Sequence, residues 1–279
     1  MKRYFKFFAV AIAAIIITLA SCEKNADVQS SNQSFPSNSK AEARSPFDFI
    51  GDIHNQIMDQ VGVIMKKDLE YYASLQNPTE DDKNKMLNKI KTSLGKVTVP
   101  DSISNNFSKN IDSAYSFLDS FDLDYFLKSN VCESVEKYYK EALDNGCTED
   151  LYEIANYGIN KAWSKNDTLS TIFFVVMKYS AKYWTSASVD SSNPWYGIVK
   201  TYGEDVFTDN SIKGKSLKEK LNKIKDWVVE KISGKQEPSK ATVVIASDAA
   251  GALIGGFGLG GWVSAIAMTV ICSAGAAVN

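Results

Sequence analysis

Acid–base chemistry in this chain would have to involve His54, the only histidine, because imidazole is the side chain that titrates closest to neutral pH. Asp52 and Asn55 lie beside it, but one histidine cannot build a histidine-rich metal site and could serve only one Ser-His-Asp relay. On a helical wheel His54 lies near Ile50 and Ile57, at the edge of an apolar face. We therefore predict a packing or capping role for His54, with no catalytic residue and no enzymatic activity.

Clustered carboxylates are the second place where chemistry could occur. Residues 80–82 and 149–150 are acidic and suit the starts of helices, where the helix dipole favours negative charge. Residues 119–124 contain three aspartates, but a calcium loop needs glycine at position six and glutamate at position twelve, where Asp124 and Asn130 stand. No glycine-rich phosphate loop of the usual spacing is present. The sequence therefore predicts no metal site and no cofactor.

The four cysteines are Cys22, Cys132, Cys147 and Cys272. The residues between Cys132 and Cys147 have a helical pattern, because Asn130 suits a helix start and Asn145-Gly146 suits a helix stop. One helix would separate the two thiols by about 20 Å, whereas a disulfide needs α-carbons within about 7 Å. We therefore predict that Cys132 and Cys147 are not bridged.

Cys22 ends an N-terminal segment that has the layout of a secretory signal. Lys2, Arg3 and Lys6 precede an apolar run from Phe7 to Leu19, and the small residues Ala20 and Ser21 lead to the cysteine. The sequence Leu19-Ala20-Ser21-Cys22 resembles the lipobox of bacterial lipoproteins. That resemblance implies removal of residues 1–21, lipid attachment at Cys22, and a place in the bacterial cell envelope, at the outer membrane or cell surface rather than the inner membrane. The alternatives are an ordinary signal peptide or an anchor helix with an incidental cysteine.

The charge balance of the mature chain argues against a nucleic-acid partner. Residues 1–21 carry three basic and no acidic side chains, so the remaining 258 residues carry 28 basic and 33 acidic ones. Nucleic-acid binding normally requires an excess of positive charge. Residues 22–45 are rich in serine, asparagine, glutamine and lysine, and we expect them to form a flexible tether.

Residues 46–237 show the periodicity of successive helices and no run of alternating strands. We expect Ser45-Pro46 and Thr79 to begin helices and Pro100-Asp101 to mark a break. Residues 168–184 are apolar nearly all round, which predicts the central buried helix. A lysine-rich amphipathic helix is expected at residues 216–232, suited either to a globular core or to a membrane surface. The predicted fold is all-α, a multi-helix globular body.

Residues 238–279 form an apolar, glycine-rich C-terminal segment. No residue from Ala249 to Asn279 is charged, and seven of the sixteen glycines lie there. The spacings Gly251–Gly255 and Gly256–Gly260 allow close approach of helix backbones. The segment loosely resembles the glycine-zipper segments of pore-forming bacteriocins and toxins. Four glycines and one tryptophan are therefore candidates for membrane insertion or helix packing: Gly251, Gly255, Gly256, Gly260 and Trp262.

Three arrangements of this segment are compatible with its sequence. The concentration of glycine at 255–261 favours a bend between two helices, at Ser239–Ile254 and Trp262–Ala274. Such a helical hairpin could pack within the body or against a partner, or it could insert conditionally into a membrane. A constitutive spanning helix is the third arrangement, because the apolar run exceeds the length of about 20 residues that a bilayer requires.

From these features we expect a lipid-anchored, non-enzymatic protein of the bacterial envelope that acts as a binding or interaction module. Its expected partners are the membrane, through the N-terminal lipid, and either a protein or the lipid bilayer at the C-terminal segment. The alternative is a membrane-active, bacteriocin- or toxin-like protein that inserts this segment.

Overall fold

The computed structural model describes residues 42–75, 78–120, 122–147, 150–201, 240–256 and 262–278. All regular secondary structure in these ranges is helical, which confirms the predicted all-α, multi-helix body. In chain order, the helices are α1 (Asp48–Ile64), α2 (Lys66–Ala73), α3 (Glu80–Leu94), α4 (Asp101–Ser120), α5 (Leu123–Leu127), α6 (Asn130–Asp144), α7 (Leu151–Ser164), α8 (Thr168–Val189), α9 (Tyr196–Thr201), α10 (Lys240–Ile254) and α11 (Trp262–Val278).

Polar side chains begin several of these helices where the sequence predicts a start. Thr79 accepts a hydrogen bond from the Asp82 backbone N–H, and the Asp82 carboxylate accepts one from the Thr79 backbone N–H. This reciprocal pair satisfies two backbone donors that the first turn of α3 leaves free. Asp167 caps α8 in a similar way by accepting from the Ser170 backbone N–H.

Helix α6 occupies the interval between Cys132 and Cys147, as its pattern predicts. It begins at Asn130 and ends at Asp144, and Gly146 follows in a left-handed conformation with φ of 80°. Glycine adopts this conformation without the steric cost that a side chain would impose. Cys132 lies buried within the helix and Cys147 beyond its end, and both thiols are free.

Helix α8 lies at the centre of the body. Its side chains from Ser170 to Lys178 are all buried, as expected for a stretch that is apolar nearly all round. Helices α1, α7, α9 and α10 pack directly against it. Its position makes α8 the element to which the N-terminal and C-terminal parts of the described chain both attach.

Helices α10 and α11 pack against each other and fill the interior of the body. Gly251 faces the backbone of Met268 and Thr269, and Gly255 faces that of Ser264. Because the contacted positions on α11 move from 268–269 to 264 as those on α10 move from 251 to 255, the two helices run antiparallel. Helix α10 packs on α8, while α11 packs on α1, α3 and α4. We call this element the α10–α11 pair.

The bounds of the α10–α11 pair agree closely with the two helices expected at Ser239–Ile254 and Trp262–Ala274, although α11 continues to Val278. Residues 257–261, between the two helices, lie outside the described residues. None of the helices in the described part of the chain combines the length and hydropathy needed to cross a bilayer.

The body begins earlier than the composition of the N-terminal region suggests. Residues 22–45 were expected to form the tether, but Ala43 is buried, and residues 42–279 belong to one compact unit. The same unit contains the described residues of both the expected body, 46–237, and the expected C-terminal segment, 238–279, because the α10–α11 pair shares the core of the other helices. The predicted lysine-rich helix at 216–232 lies outside the described residues.

Candidate functional site

The glycines singled out from the sequence lie at helix–helix contacts, where the structure describes them. A Cβ atom on Gly251 would lie 2.8 Å from the Met268 carbonyl oxygen, and one on Gly255 would collide with the carbonyl of Ser264. A Cβ atom on Gly256 would meet Leu169 at 3.1 Å. These glycines therefore permit close helix packing.

The other predicted site residues are dispersed. Trp262 is partly buried and meets Phe49 edge-to-face, with ring centroids 5.1 Å apart. Gly260 and the expected lipid-attachment residue Cys22 lie outside the described residues. The residues that the structure does bring together are a different set, centred on Asp248 of α10.

Asp248 and His54 form a buried polar pair in the middle of the apolar core. Both residues have an exposed fraction of 0%, and His54 Nε2 lies 3.5 Å from Asp248 Oδ2. Trp184 of α8 donates a hydrogen bond of 2.8 Å from its indole Nε1 to the same Asp248 oxygen. Helices α1, α8 and α10 therefore meet at one carboxylate. Sequence analysis placed His54 at the edge of an apolar face, whereas the packing of α10 encloses it completely.

The hydrogen bonds of Asn55 determine which nitrogen of His54 carries a proton. The Asn55 amide donates to the Tyr179 carbonyl oxygen over 3.2 Å, which leaves Oδ1 as the acceptor that faces His54 Nδ1 over 2.9 Å. His54 must then donate from Nδ1, so the lone pair of a neutral imidazole lies on Nε2. Nε2 lies 3.5 Å from Asp248 Oδ2 without a hydrogen bond of good geometry, and Nε2 and Asp248 Oδ1 are both buried without a partner. A proton placed between Nε2 and Oδ2 would give the imidazole nitrogen the partner it lacks.

Burial changes the proton affinity of both partners. It raises the pKa of the Asp248 carboxyl from its ordinary value of 3.8 to about 7, because charge is costly in an apolar interior. Ser273, Ser180 and Trp184 oppose this rise, although neither serine hydroxyl makes a hydrogen bond of good geometry. Burial also lowers the pKa of His54 from 6.5 to about 4, with the Asn55 hydrogen bond acting in the opposite direction.

His54 and Asp248 can hold a proton out of contact with solvent. The described residues contain no group of three or more histidine, cysteine, aspartate or glutamate side chains that could hold a metal ion. Cys272 of α11 lies close enough to Asp248 for the aspartate charge to raise its thiol pKa, after the larger effect of burial. The cluster therefore joins four helices through buried polar groups.

A second polar cluster fastens the start of the described chain to α8. Lys178 is buried, with an exposed fraction of 1%, and its Nζ donates to the Ala43 carbonyl oxygen over 2.8 Å. The same Nζ lies 3.4 Å from the Asp48 carboxylate. The Ala43 backbone N–H donates to Asn156 Oδ1 over 3.1 Å. We call this arrangement the N-terminal clamp.

Glu42 extends the N-terminal clamp at the surface of the body. Its carboxylate accepts a hydrogen bond of 2.8 Å from Lys182 and one of 3.2 Å from the Tyr152 hydroxyl. The hydrogen bond from Lys182 is the main reason why the pKa of the Glu42 carboxyl is lowered. Residues 42 and 43 are thus attached to both α7 and α8.

Sequence reasoning missed Asp248, although a signal was present. The residue stands within the apolar stretch Val243–Ile254 and has no charged neighbour there. A lone carboxylate in such a stretch usually marks a buried polar contact, because charged residues are rarely buried without a partner. The partner itself could not be inferred, since His54 lies in the first helix of the body.

Comparisons with protein-family models, curated proteins and solved structures give no match to this chain.

Proposed function

We propose that this chain is a lipid-anchored, non-enzymatic protein of the bacterial envelope, held at the membrane by a lipid on Cys22. Its helical body acts as a binding or interaction module for other proteins. The tether that follows the lipid ends at the N-terminal clamp, where residues 42 and 43 bind to α7 and α8.

The observation that carries this proposal is the burial of the α10–α11 pair. Most of the described side chains of these two helices, which form the most apolar part of the mature chain, are enclosed by α1, α3, α4 and α8. A buried pair leaves little apolar surface for a bilayer, so membrane attachment is assigned to the lipid. The lipobox-like sequence Leu19-Ala20-Ser21-Cys22 is independent support for this assignment.

Membrane fractionation of a bacterial host tests the anchoring part of the proposal. Wild type and a Cys147→Ala control should sediment with membranes and incorporate a labelled fatty acid, whereas Cys22→Ala should incorporate none. Purified residues 22–279 with Cys22→Ala should not float with liposomes of neutral or anionic lipid. Fatty-acid incorporation by the Cys22→Ala protein, or flotation of the purified residues 22–279 with liposomes, would contradict lipid-only attachment at Cys22.

Site-specific photocrosslinking in intact cells tests the interaction part. The exposed apolar side chains Val63, Tyr125 and Val189, with exposed fractions of 68%, 71% and 77%, are suitable positions for the crosslinker. Discrete crosslinked products that disappear with Cys22→Ala would support an envelope partner. Failure to crosslink at every one of these positions would count against an interaction module that uses its exposed apolar side chains.

A second candidate function is membrane activity, in which the α10–α11 pair leaves the body and inserts into lipid. The observation that favours it is the composition of the pair: α11 has no charged residue, and Asp248 is the only acidic residue in α10. Residues 22–279 with Cys22→Ala should then release dye from liposomes, and an added side chain at Gly255 should change that release. Absence of dye release at any lipid composition or pH tested would remove this candidate.

A further inference from the structure

Asp248 is in an unusual position for an acidic residue, because it lies in the interface by which an otherwise apolar helix pair attaches to the body. Its side chain is enclosed by α8, by α11 and by His54 of α1. Separation of α10 from this interface would expose Asp248 and His54 to water together. The protonation of these two side chains is therefore thermodynamically linked to docking of the α10–α11 pair.

We propose that His54 and Asp248 form a proton-sharing latch that holds the α10–α11 pair in the body. The two side chains keep one proton between His54 Nε2 and Asp248 Oδ2, and this arrangement makes docking nearly independent of pH from acid to neutral conditions. Without His54, docking should strengthen as pH falls. Without Asp248, docking should weaken as pH falls. His54 is thus a positioning residue for Asp248. This inference rests on the membrane-active candidate, because release of the α10–α11 pair from the body serves a function only if the pair inserts into lipid.

The proton count follows from the geometry of the hydrogen bonds. His54 donates from Nδ1 to Asn55, and Trp184 donates to Asp248 Oδ2, so neither of these donors fills the space between Nε2 and Oδ2. Without a shared proton, a lone pair and a carboxylate oxygen would face each other over 3.5 Å in an apolar interior. With two protons, the pair would carry an uncompensated buried positive charge. One proton is the state that avoids both costs.

The opposing pH effects follow from the direction of each pKa shift. Docked Asp248, with a pKa of about 7, binds a proton that the undocked carboxyl releases above 3.8, so its effect strengthens docking as pH falls through 7. Docked His54, with a pKa of about 4, excludes a proton that the undocked imidazole binds below 6.5, so its effect weakens docking as pH falls. Between these limits the two effects largely cancel.

Other titratable groups around the latch do not supply this behaviour. Titratable groups on the packed helices include Tyr115 on α4, Tyr179 and Tyr183 on α8, Tyr196 on α9 and Cys272 on α11. Helix α8 also carries Lys178 and Lys182, which bind in the N-terminal clamp. Burial raises the pKa of Tyr115, Tyr183 and Cys272, so these three stay neutral below pH 7. Burial also raises the pKa of Tyr179. Partial burial also raises the pKa values of the Asp52 and Asp59 carboxyls on α1, and Asp59 hydrogen-bonds Tyr183. Both aspartates are present in all of the variants compared, so they cannot produce effects of opposite sign.

Two native cysteines provide the test. Cys272 is buried on α11 beside the latch, whereas Cys132 is buried on α6, which packs on α7 and α8. In residues 22–279 with Cys22→Ala and Cys147→Ser, the labelling rate of Cys272 by a dithiopyridine reagent reports undocking. The rate of Cys132 reports opening of the rest of the body. Both rates are divided by those of the urea-unfolded chain at the same pH, which removes the intrinsic pH dependence of the thiols.

The expected result is a characteristic pattern of three proteins between pH 7 and pH 5. When the pH is lowered from 7 to 5, protection of Cys272 should change by no more than about threefold without latch substitutions. The same change should increase protection by about tenfold or more in His54→Gln and decrease it by about tenfold or more in Asp248→Asn. Protection of Cys132 should not follow these changes. Equal signs in the two variants, a strong pH dependence with the latch intact, or parallel changes at Cys132 would overturn the proposal.

Titration of His54 can also be followed in the protein with both latch residues intact. This measurement tests the proposal even if a latch variant fails to fold. His54 is the only histidine, so its imidazole ¹⁵N signals need no assignment by mutation. Residues 22–279 with Cys22→Ala should show no titration of this ring between about pH 4.5 and 6.5. A titration midpoint near 6.5 would overturn the latch. Liposome dye release is measured separately, so failure of the membrane-active candidate leaves the labelling result interpretable.

Discussion

The indole nitrogen of Trp184 donates a 2.8 Å hydrogen bond to Oδ2 of Asp248, and both side chains are fully buried. Trp184 Nε1–H makes a hydrogen bond of good geometry to this carboxylate, whereas the Ser180 and Ser273 hydroxyls do not. A charged oxygen gains more from such a donor than a neutral one does. The Trp184 N–H therefore favours the ionised form of Asp248, against the larger effect of burial.

Replacement of Trp184 by phenylalanine removes this donor while retaining an aromatic ring. We expect unfolding free energy to fall by about 1–3 kcal/mol, since a buried acceptor loses its partner and some volume is lost. The pKa of Asp248 should rise further, because the indole N–H favours the ionised carboxylate. The loss of unfolding free energy should therefore grow as pH rises above about 7, where the Asp248 carboxyl of the unsubstituted protein is ionised. Urea denaturation at pH 6 and at pH 8.5 measures both effects, and an equal loss at the two pH values would contradict them.

Gly255 should tolerate no side chain, because a Cβ atom there meets the carbonyl group of Ser264 on α11. We expect Gly255→Ala to destabilise the body by about 1–3 kcal/mol, as overpacking of a tight interface does. Gly95 provides a matched control, since a Cβ there would make only an ordinary contact of 3.5 Å with the Thr92 carbonyl oxygen. Gly95→Ala should leave the urea midpoint almost unchanged. Similar midpoints for the two variants would show that α10 and α11 can separate without cost.

Lys178 should contribute more to stability than its surface neighbour Lys182, although both bind the N-terminal clamp. Lys178→Met would leave the Ala43 carbonyl without its donor and Asp48 without its buried counter-ion, at a cost of about 2–4 kcal/mol. Lys182→Met removes a half-exposed pair with Glu42 and should cost no more than about 1 kcal/mol. Thermal unfolding of both variants checks this order. Limited proteolysis near residues 42–44 should also accelerate in Lys178→Met alone.

Truncation after Asp248 should abolish cooperative folding rather than release a soluble body. It removes α11 and the last turns of α10, which supply much of the apolar surface covering α1, α3, α4 and α8. The expected product lacks a sharp thermal transition and binds a hydrophobic dye. A truncated protein with a cooperative transition and an unchanged near-ultraviolet circular dichroism spectrum would show that the C-terminal helices form a separate module.

Much of the local structure could be predicted from the sequence, since a helix is specified by side chains three and four residues apart and by the groups at its ends. Thr79 with Asp82 marked the start of α3, and Asn145-Gly146 marked the end of α6. The glycines around 255–261 also indicated where two C-terminal helices would be separated. These signals act over one or two turns, so they do not require knowledge of the fold.

The candidate site was much less predictable. Gly251 and Gly255 were recognised as positions of close approach, but their partner helix could have belonged to this chain, to another protein or to a membrane. The isolation of Asp248 in an apolar stretch was visible, whereas its contacts with His54 and Trp184 were not. The attachment of Ala43 to Lys178 was also hidden, because the composition of residues 22–45 resembles a tether throughout.

An all-α body, several helix ends in its described part, and an apolar, glycine-rich C-terminal region could thus be predicted from the sequence alone. The sequence also contains the N-terminal pattern on which the proposed lipid anchor rests. Only the tertiary structure decided that the C-terminal helices fill the core, and that a buried aspartate there meets the single histidine. The physical reason is that helix formation depends on neighbouring residues, whereas burial and proton affinity depend on which distant helices pack together.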